Sequence, residues 1–300
     1  MNLIIDLEKS DYQRVRLGHL EQVHNKVIRH EVTETGQNVQ NAPTGVVGLS
    51  DAGIRALAKE RGFKVPPAWK NLWINANKDG ALQVRGTDTK GRVIRLYNAE
   101  AMQANAEAKF NRLKEFTLDF PKILKEIEKE LETCEEAKVL YVISKTGMRV
   151  GSERDRQAKV KAYGVSTLTS DHVTVKGSTV IFDFTGKKGV TIHQEISDKK
   201  IVELVKAKDG KLFNTNEDKT LSYLKRISGK DYLVKDFRTY IGTSTAIKAI
   251  KSMDAPTNQK EYVTLVKKVC QIVADKLGNT PTVAKESYIA PEVFDVWEIK

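Results

Sequence analysis

Hydrophobic and polar residues alternate in two parts of the chain, and this alternation predicts β-strands. The first part is a pair of segments, 82–88 and 92–97, separated by a short turn that contains glycine. The second part covers residues 171–196 and consists of three such segments, with turns at 176–178 and 186–189. Because the segments are short and the turns are tight, the pattern predicts a hairpin in the first part and a three-stranded antiparallel meander in the second.

Elsewhere the hydrophobic residues recur at the spacing of an amphipathic helix. The predicted helices are a short one that begins at Ser50 or Asp51 and ends at Gly62, two at 101–110 and 120–131, a buried one through 139–143, and a mostly helical remainder from residue 198. The polar residues 1–40 fit short strands or an arm.

The change from strands to helices predicts a domain boundary near residue 100. Residues 99–116 contain no β-branched side chain, which marks a change of architecture. We therefore predict an α+β protein with a small, mostly β amino-terminal domain over residues 1–100. A larger, α-rich domain over residues 101–300 is expected to contain the three-stranded antiparallel sheet.

The charge of the chain indicates a polyanionic partner. Fifty Lys and Arg residues against 39 Asp and Glu give a net charge of +11 and a pI near 9.4. Such an excess favours nucleic acid over a membrane as partner. Cys134 and Cys270 are isolated, so they suggest a reducing compartment and no zinc site. We find no apolar run of spanning length and no secretory leader, and we expect an intracellular protein, in a cytoplasm, nucleoid or virion.

A tyrosine near the end of the chain is the first candidate for chemistry. A helical pattern runs up to Leu277 and can end at Gly278. Asn279 or Thr280 can then cap a short helix whose last part contains Tyr288. The chain has nine tyrosines, and a tyrosine at a helix end is usually a packing residue, so Tyr288 alone carries little weight.

Other segments of the chain strengthen the case for Tyr288 as a catalytic residue. They are Gly147-Met148-Arg149-Val150-Gly151-Ser152-Glu153, Phe184-Thr185-Gly186-Lys187, Lys235-Asp236-Phe237-Arg238-Thr239-Tyr240 and the stretch from Leu277 to Tyr288. Supporting matches are Val65-Pro66-Pro67-Ala68-Trp69, Thr87–Arg92, Lys161–Leu168 and Ser287-Tyr288-Ile289. In this order and approximate spacing they resemble the catalytic set of type IB DNA topoisomerases of the poxvirus and bacterial kind. The resemblance covers roughly residues 43–300.

The resemblance implies a role for each catalytic candidate. Tyr288 would be the nucleophile that forms a 3′-phosphotyrosyl linkage, and Arg149 and Arg238 would bind the non-bridging oxygens of the phosphate. Lys187, in the turn of the meander, would protonate the departing 5′ oxygen, and Lys235 would assist. The implied enzyme relaxes supercoils of either sign without ATP, metal or another cofactor. Its two domains would form a C-shaped clamp, working as a monomer, around double-stranded DNA.

The chain departs from the poxvirus pattern at two positions. Asn279 stands where the poxvirus enzymes have histidine, and asparagine also occurs in bacterial relatives. An amide can donate a hydrogen bond to phosphate but cannot supply charge or a proton, so we assign Asn279 to stabilisation only. Arg95 replaces an aromatic residue in the amino-terminal domain. The DNA contacts expected from that domain are Arg92, Arg95, Tyr97 and Trp69.

Two other functions fit part of this pattern. A tyrosine recombinase or integrase shares the Arg, Lys, Arg and Tyr set, but recombinases usually have histidine three residues before the second arginine. That position is Lys235 here, which favours the topoisomerase. The other alternative is a non-catalytic DNA-binding derivative. The presence of all four catalytic residue types argues against that alternative.

Overall fold

A computed structural model describes residues 44–156, 161–206 and 208–297 of the chain, and the arm predicted over residues 1–40 lies outside these ranges. The chain divides into two compact units, and the division falls between Lys109 and Phe110. Helices and antiparallel sheets occur together, as the α+β prediction requires. The two units are described separately below.

Between residues 44 and 98, the first unit contains one helix and one three-stranded antiparallel sheet. These elements are α1 (Asp51–Glu60), β1 (Lys70–Ile74), β2 (Leu82–Thr87) and β3 (Val93–Tyr97), with strand order β1-β2-β3. Ser50 is the N-cap of α1, because its hydroxyl accepts a hydrogen bond from the Gly53 amide.

The hairpin of β2 and β3 was predicted, but β1 was not. Asn71 has a φ of 52°, and the pairing with β2 is irregular between Lys70 and Trp73. This irregularity breaks the alternation by which a strand is recognised in a sequence. The hydrophobic core of the unit lies between α1 and one face of the sheet, and its buried members are Ile54, Ala58, Trp69, Leu72, Ile74, Val84, Ile94 and Leu96.

A long helix, α2 (Ala99–Lys129), contains the division between the units. The sequence predicted two helices here, at 101–110 and 120–131, and this was wrong, because the helix is continuous. Pro121 lies inside it and removes one backbone donor. The helix continues nevertheless because Leu113, Phe116, Ile123 and Ile127 bury one face along its length.

The second unit contains the predicted meander. Its strands are β4 (Val173–Lys176), β5 (Thr179–Gly186) and β6 (Val190–Ser197), in the order β4-β5-β6. Val180, Phe182 and Phe184 of β5 point into the core, whereas Ile181 and Asp183 between them lie on the other face, with Asp183 exposed. The three strands and both turns confirm the sequence prediction to within two residues at each end.

The other elements described in the second unit are helical, which confirms the prediction for 139–143 and from residue 198 onward, whereas the short helix at 153–156 was not predicted. They are α3 (Glu135–Thr146), α4 (Glu153–Arg156), α5 (Lys199–Val205), α6 (Glu217–Ser228), α7 (Val234–Lys251), α8 (Gln259–Leu277) and α9 (Pro281–Tyr288). Two hydrophobic clusters fill this unit, and α7 contributes Phe237 to one and Ile241 to the other. None of the helices in the described ranges is long and apolar enough to cross a membrane.

Candidate active site

A cleft in the second unit gathers residues from four distant parts of the chain. Arg149, Lys187, Arg238 and Asn279 all line it, together with Lys188, Lys276 and His193. Arg238 lies on α7 between Phe237 and Ile241, so it stands where the helix passes from one hydrophobic cluster to the other. The cleft is therefore built on the packed centre of the unit.

Arg149 is positioned by the sharp end of α3. Gly147 ends this helix with a φ of 72°, a conformation that favours glycine, and a Cβ there would come within 2.7 Å of the Leu277 side chain. The Arg149 carbonyl accepts a hydrogen bond of 2.9 Å from the Val165 amide. The side chain is half-buried, and its guanidinium lies 3.4 Å from Asn279 Oδ1.

Arg238 is buried and is hydrogen-bonded to the backbone of two other segments of the site. Only 4% of it is exposed, and its guanidinium donates hydrogen bonds to the carbonyl oxygens of Gly147 and Leu277. Gly147 and Leu277 are the first residues of the segments that contain Arg149 and Asn279. Burial lowers the pKa of Arg238, but an arginine keeps its charge at any physiological pH. Its Nε has no hydrogen-bond partner among the described residues.

The start of α7 is held in place by an ion pair. Asp236 is buried two residues before Arg238, and the guanidinium of Arg112 on α2 donates to both of its carboxylate oxygens, at 2.8 and 3.1 Å. Asp236 also accepts from the Leu233 amide at 2.8 Å, which caps the helix. Lys235, next to it, is exposed and is not among the residues that line the cleft.

Tyr288 is the last residue of α9 and packs against Arg238. It is 8% exposed, and the guanidinium carbon of Arg238 lies 4.9 Å from the centre of its ring. Burial acts to raise the pKa of the Tyr288 phenol, but the charges and hydrogen-bonding groups of Arg238 and Arg149 outweigh it and lower the pKa below its ordinary value. The phenol therefore ionises more readily than a free tyrosine.

The backbone around Tyr288 is tied to α7. The Thr243 hydroxyl donates a hydrogen bond to the Tyr288 carbonyl and accepts one from the Ala290 amide, both at 3.1 Å. The start of α9 is capped by Thr280, whose hydroxyl accepts from the Val283 amide, with Pro281 in the first turn. Of the two predicted capping residues, the structure thus uses Thr280.

The turn between β5 and β6 brings two lysines to the cleft. Lys187 is half-buried, whereas Lys188 is exposed and has a φ of 68°. Gly278, at the end of α8, has a φ of 61°, and a side chain there would clash with Ile192 of β6. This close packing holds β6 against the junction of α8 and α9. The turn between β5 and β6 therefore lies near Asn279, which belongs to that junction.

The amino-terminal residues predicted to contact DNA lie in different surroundings. Trp69 is buried in the core of the first unit, so the structure gives it a packing role. Arg92 is exposed and forms an ion pair with Asp88. Arg95 and Tyr97 lie on the outward face of β3, where the predicted alternation is confirmed.

That outward face also contains two residues that the sequence analysis missed. Arg85 of β2 lies directly opposite Arg95, and its guanidinium lies 5.5 Å from the centre of the Trp73 ring. The alternation in β2 and β3 could have identified Arg85, because its pairing follows from the hairpin. Trp73 could not be assigned to a face, since β1 was not recognised.

In the second unit, the cleft is also lined by residues that were not among the predicted site residues. Tyr163 lines it, and this tyrosine belongs to a segment that supported the resemblance without being given a role. Lys276 also lines it, one residue before Leu277. The described ranges contain no group of three or more His, Cys, Asp or Glu side chains that could hold a metal ion.

A buried tyrosine beside two arginines, in a basic α+β protein, defines a class of enzymes that act on the phosphodiesters of nucleic acid. Residues 98–294 match the family described as "Eukaryotic DNA topoisomerase I, catalytic core", and since this is more than half of the chain, the chain belongs to that family. It is similar to the DNA topoisomerase 1B of Acanthamoeba polyphaga mimivirus, with 26% identity over 263 residues, 79% of this chain and 78% of the relative. The chain is a type IB DNA topoisomerase, and the predicted isomerase activity on DNA is confirmed.

Proposed function

We propose that this topoisomerase relaxes positive and negative supercoils through a transient bond between Tyr288 and one DNA strand. The Tyr288 oxygen attacks a backbone phosphorus, a tyrosyl O–P bond forms, and the bond from phosphorus to the 5′ oxygen breaks. The cut strand swivels, and the 5′ hydroxyl then attacks the phosphotyrosine to restore the diester. The tyrosyl ester keeps much of the free energy of the original bond, so this chemistry needs no nucleotide.

The contact between Tyr288 and Arg238 carries this proposal. A phenol is a weak nucleophile unless it is ionised, and the two arginines lower its pKa. The same cations would face the phosphate once DNA is bound, because Tyr288 must reach the phosphorus from beside them. The same two arginines thus stabilise the attacking phenolate and also the negative charge that develops on the phosphate oxygens.

The unpaired Nε of Arg238 supports the assignment of a phosphate site. A buried donor without a partner costs about 1–3 kcal/mol, and the described residues leave this one unsatisfied. A non-bridging phosphate oxygen would complete its hydrogen bonding. Arg149 would bind the same phosphate, and the Asn279 amide, which contacts Arg149, would add one neutral hydrogen bond.

Lys187 would protonate the 5′ oxygen as it leaves. An alkoxide is a poor leaving group, and a positioned acid typically contributes about 10²–10⁴-fold to such a step. Lys187 and Lys188 both line the cleft, and the register of the Phe184–Lys187 segment against the resembled pattern favours Lys187, which is also the less exposed of the two. Lys235 would assist from the start of α7, and the structure leaves it exposed.

The amino-terminal unit would hold the duplex through its sheet. Arg85 and Arg95 lie directly opposite each other on neighbouring strands, and like charges in that position repel unless an anion lies between or above them. We propose that this face, with Tyr97 and Arg92, contacts the DNA backbone. The two units would close around the duplex as a C-shaped clamp, and one chain would suffice for activity.

The test is relaxation of supercoiled plasmid in EDTA without nucleotide. The chain is expected to relax both positively and negatively supercoiled plasmid, and a Tyr288→Phe variant is expected to bind DNA and relax neither. Tyr288→Phe removes only the hydroxyl from a buried ring, so the fold is retained. Relaxation by the Tyr288→Phe variant would contradict the proposed role of this residue.

A further inference from the structure

Lys276 is a cation of the cleft to which the mechanism above gives no role. It is in the last turn of α8 and lines the same cleft as Arg149, Lys187 and Arg238. Its ammonium has no hydrogen bond or ion pair with any residue in the described ranges. Asp275 also lines the cleft, but its carboxylate accepts a hydrogen bond of 2.7 Å from Gln271. Lys276 therefore forms no ion pair within the described ranges, and Asp275 adds a carboxylate to the same cleft without contacting its ammonium.

A second lysine lies close to Lys276. Lys248 of α7 is near enough for its charge to act on the ammonium of Lys276, and it too has no acidic partner among the described residues. The packing of atoms around Lys276, together with the charge of Lys248, lowers the pKa of Lys276, although the residue is exposed. Two neighbouring cations that no carboxylate separates are unfavourable in the free protein.

A purely structural role does not explain this arrangement. A lysine at a helix C-terminus is stabilised by the helix dipole, and that alone would raise its pKa rather than lower it. Lys276 instead lines the cleft beside Arg149, Lys187 and Arg238 and forms no ion pair within the described ranges, so its ammonium can bind an anion that enters there. The anion that enters this cleft in a topoisomerase is the DNA backbone, whose phosphates repeat along each strand on both sides of the one that is cut.

We propose that Lys276, with Lys248 beside it, binds a backbone phosphate next to the scissile one and so fixes the register of the cut strand in the cleft. This inference rests on the proposed function, since it takes the phosphate at Arg149 and Arg238 to be the scissile one. Lys276 directly precedes the segment that contains Asn279. A phosphate held by Lys276 would therefore place its neighbour at the arginines.

The chain contains a matched control on the same helix. Lys267 is exposed, does not line the cleft, and is nine residues before Lys276. At about 100° per residue this separation puts the two lysines on opposite faces of α8. Lys267→Gln and Lys276→Gln remove the same charge from the same helix, and only the second change affects the cleft.

The first measurement is DNA binding as a function of salt in a Tyr288→Phe background, where no cleavage interferes. Lys276→Gln is expected to weaken binding by about tenfold and to lower the slope of log K against log salt by about 1, the value for one lost phosphate contact. Lys276→Arg should keep the slope, and Lys267→Gln should change neither quantity beyond its general effect on net charge. An unchanged slope in Lys276→Gln would overturn the proposal.

The second measurement separates phosphate binding from proton donation. Single-turnover cleavage is measured with Tyr288 intact on a duplex whose scissile 5′ oxygen is replaced by sulfur, which leaves without protonation. The sulfur substrate should restore cleavage by Lys187→Ala and should not selectively restore cleavage by Lys276→Gln. Selective rescue of Lys276→Gln would show a proton donor and contradict our proposal. If the intact protein cleaves no DNA, the proposed function fails, whereas the salt slope still tests Lys276.

Discussion

The two three-stranded sheets of this protein have the same topology and offer different surfaces. The outward face of β1–β3 contains Trp73, Arg85 and Arg95, with one arginine directly opposite the other. The outward face of β4–β6 contains Asp183 opposite His193, at 3.2 Å, with Glu195 next to them at 3.7 Å. The first face is basic, whereas the second combines these two carboxylates with His193 and the exposed Lys176 and has no excess of positive charge.

The difference shows two ways in which a sheet can serve a DNA enzyme. A basic face can contact several phosphates and adds to affinity without needing exact placement of any one group. The outward face of the second sheet has no such excess of positive charge, so we expect this sheet to act mainly through its turn, which places Lys187 in the lining of the cleft. Changes to the turn should therefore affect the rate of cleavage, and changes to the first face should affect affinity.

Removal of Lys187 should have the largest effect. In Lys187→Ala the 5′ oxygen would lose the proton donor that we propose, so we expect the single-turnover rate of strand cleavage to fall by about 10²–10⁴-fold with little change in DNA affinity. The measurement is rapid-quench cleavage of a labelled duplex at saturating enzyme.

Lys188→Ala is the control for the turn, because it removes a lysine one residue away. Lys188 has a left-handed backbone, which alanine tolerates less well than glycine, so Lys188→Gly is a second control that avoids strain. Both should cleave within a few-fold of the unaltered protein. If the cleavage rate of the Lys188 variants falls as far as that of Lys187→Ala, the assignment of Lys187 as the proton donor is contradicted.

Arg149→Gln should have the next largest effect and should change the pH dependence of cleavage. Attack requires the phenolate, so the rate rises with pH up to the pKa of Tyr288, and the two arginines hold this pKa below its ordinary value. Loss of one cation should move the rise to higher pH and lower the rate at neutral pH by about 10²–10³-fold.

The pH series needs a control for the leaving group. Cleavage of the duplex with sulfur in place of the 5′ oxygen does not depend on the ammonium of Lys187, so its pH profile reports on the phenol alone. If Arg149→Gln lowers the rate equally at every pH on this substrate, Arg149 does not influence the ionisation of Tyr288.

Changes to the basic face of the first sheet should have a smaller effect, confined to binding. Arg85→Gln and Arg95→Gln are each expected to weaken DNA binding several-fold and to lower the salt slope by about 1 per arginine. Cleavage at saturating enzyme should stay the same. Because the arginines repel each other in the free protein, either change should leave the thermal stability equal or slightly higher.

The outward face of the second sheet should matter least. Asp183→Asn and Glu195→Gln remove exposed negative charges, and we expect DNA binding to stay the same or to tighten by less than about twofold. Fluorescence anisotropy at low and moderate salt would measure this. If a variant with both changes binds DNA more weakly, this face contacts DNA and the contrast between the two sheets is contradicted.

Local patterns predicted most of the secondary structure. Strand alternation and glycine-containing turns identified five of the six strands of the described ranges, and Gly278 and Thr280 marked the junction of α8 and α9. These features depend on neighbouring residues only. The two failures have long-range causes, because β1 is irregular at Asn71 and α2 continues through Pro121 with the support of its packing.

The chemical candidates were recognised by their order along the chain, but their geometry could not be predicted. That Arg238 binds the carbonyls of Gly147 and Leu277 depends on how α3, α7 and α8 pack. The burial of Trp69 and the position of Lys276 in the cleft depend on tertiary structure in the same way. A residue type shows what a side chain can do, whereas the packing decides what it faces.

The most direct test of the central claim is to trap and map the covalent adduct. The protein is mixed with DNA in EDTA without nucleotide, denatured with detergent, and digested, and the DNA-linked peptide is sequenced by mass spectrometry. We predict that DNA is attached through its 3′ phosphate to Tyr288 and that the other fragment has a free 5′ hydroxyl. An adduct on another residue, a 5′-phosphate linkage, or an adduct formed by Tyr288→Phe would contradict the mechanism.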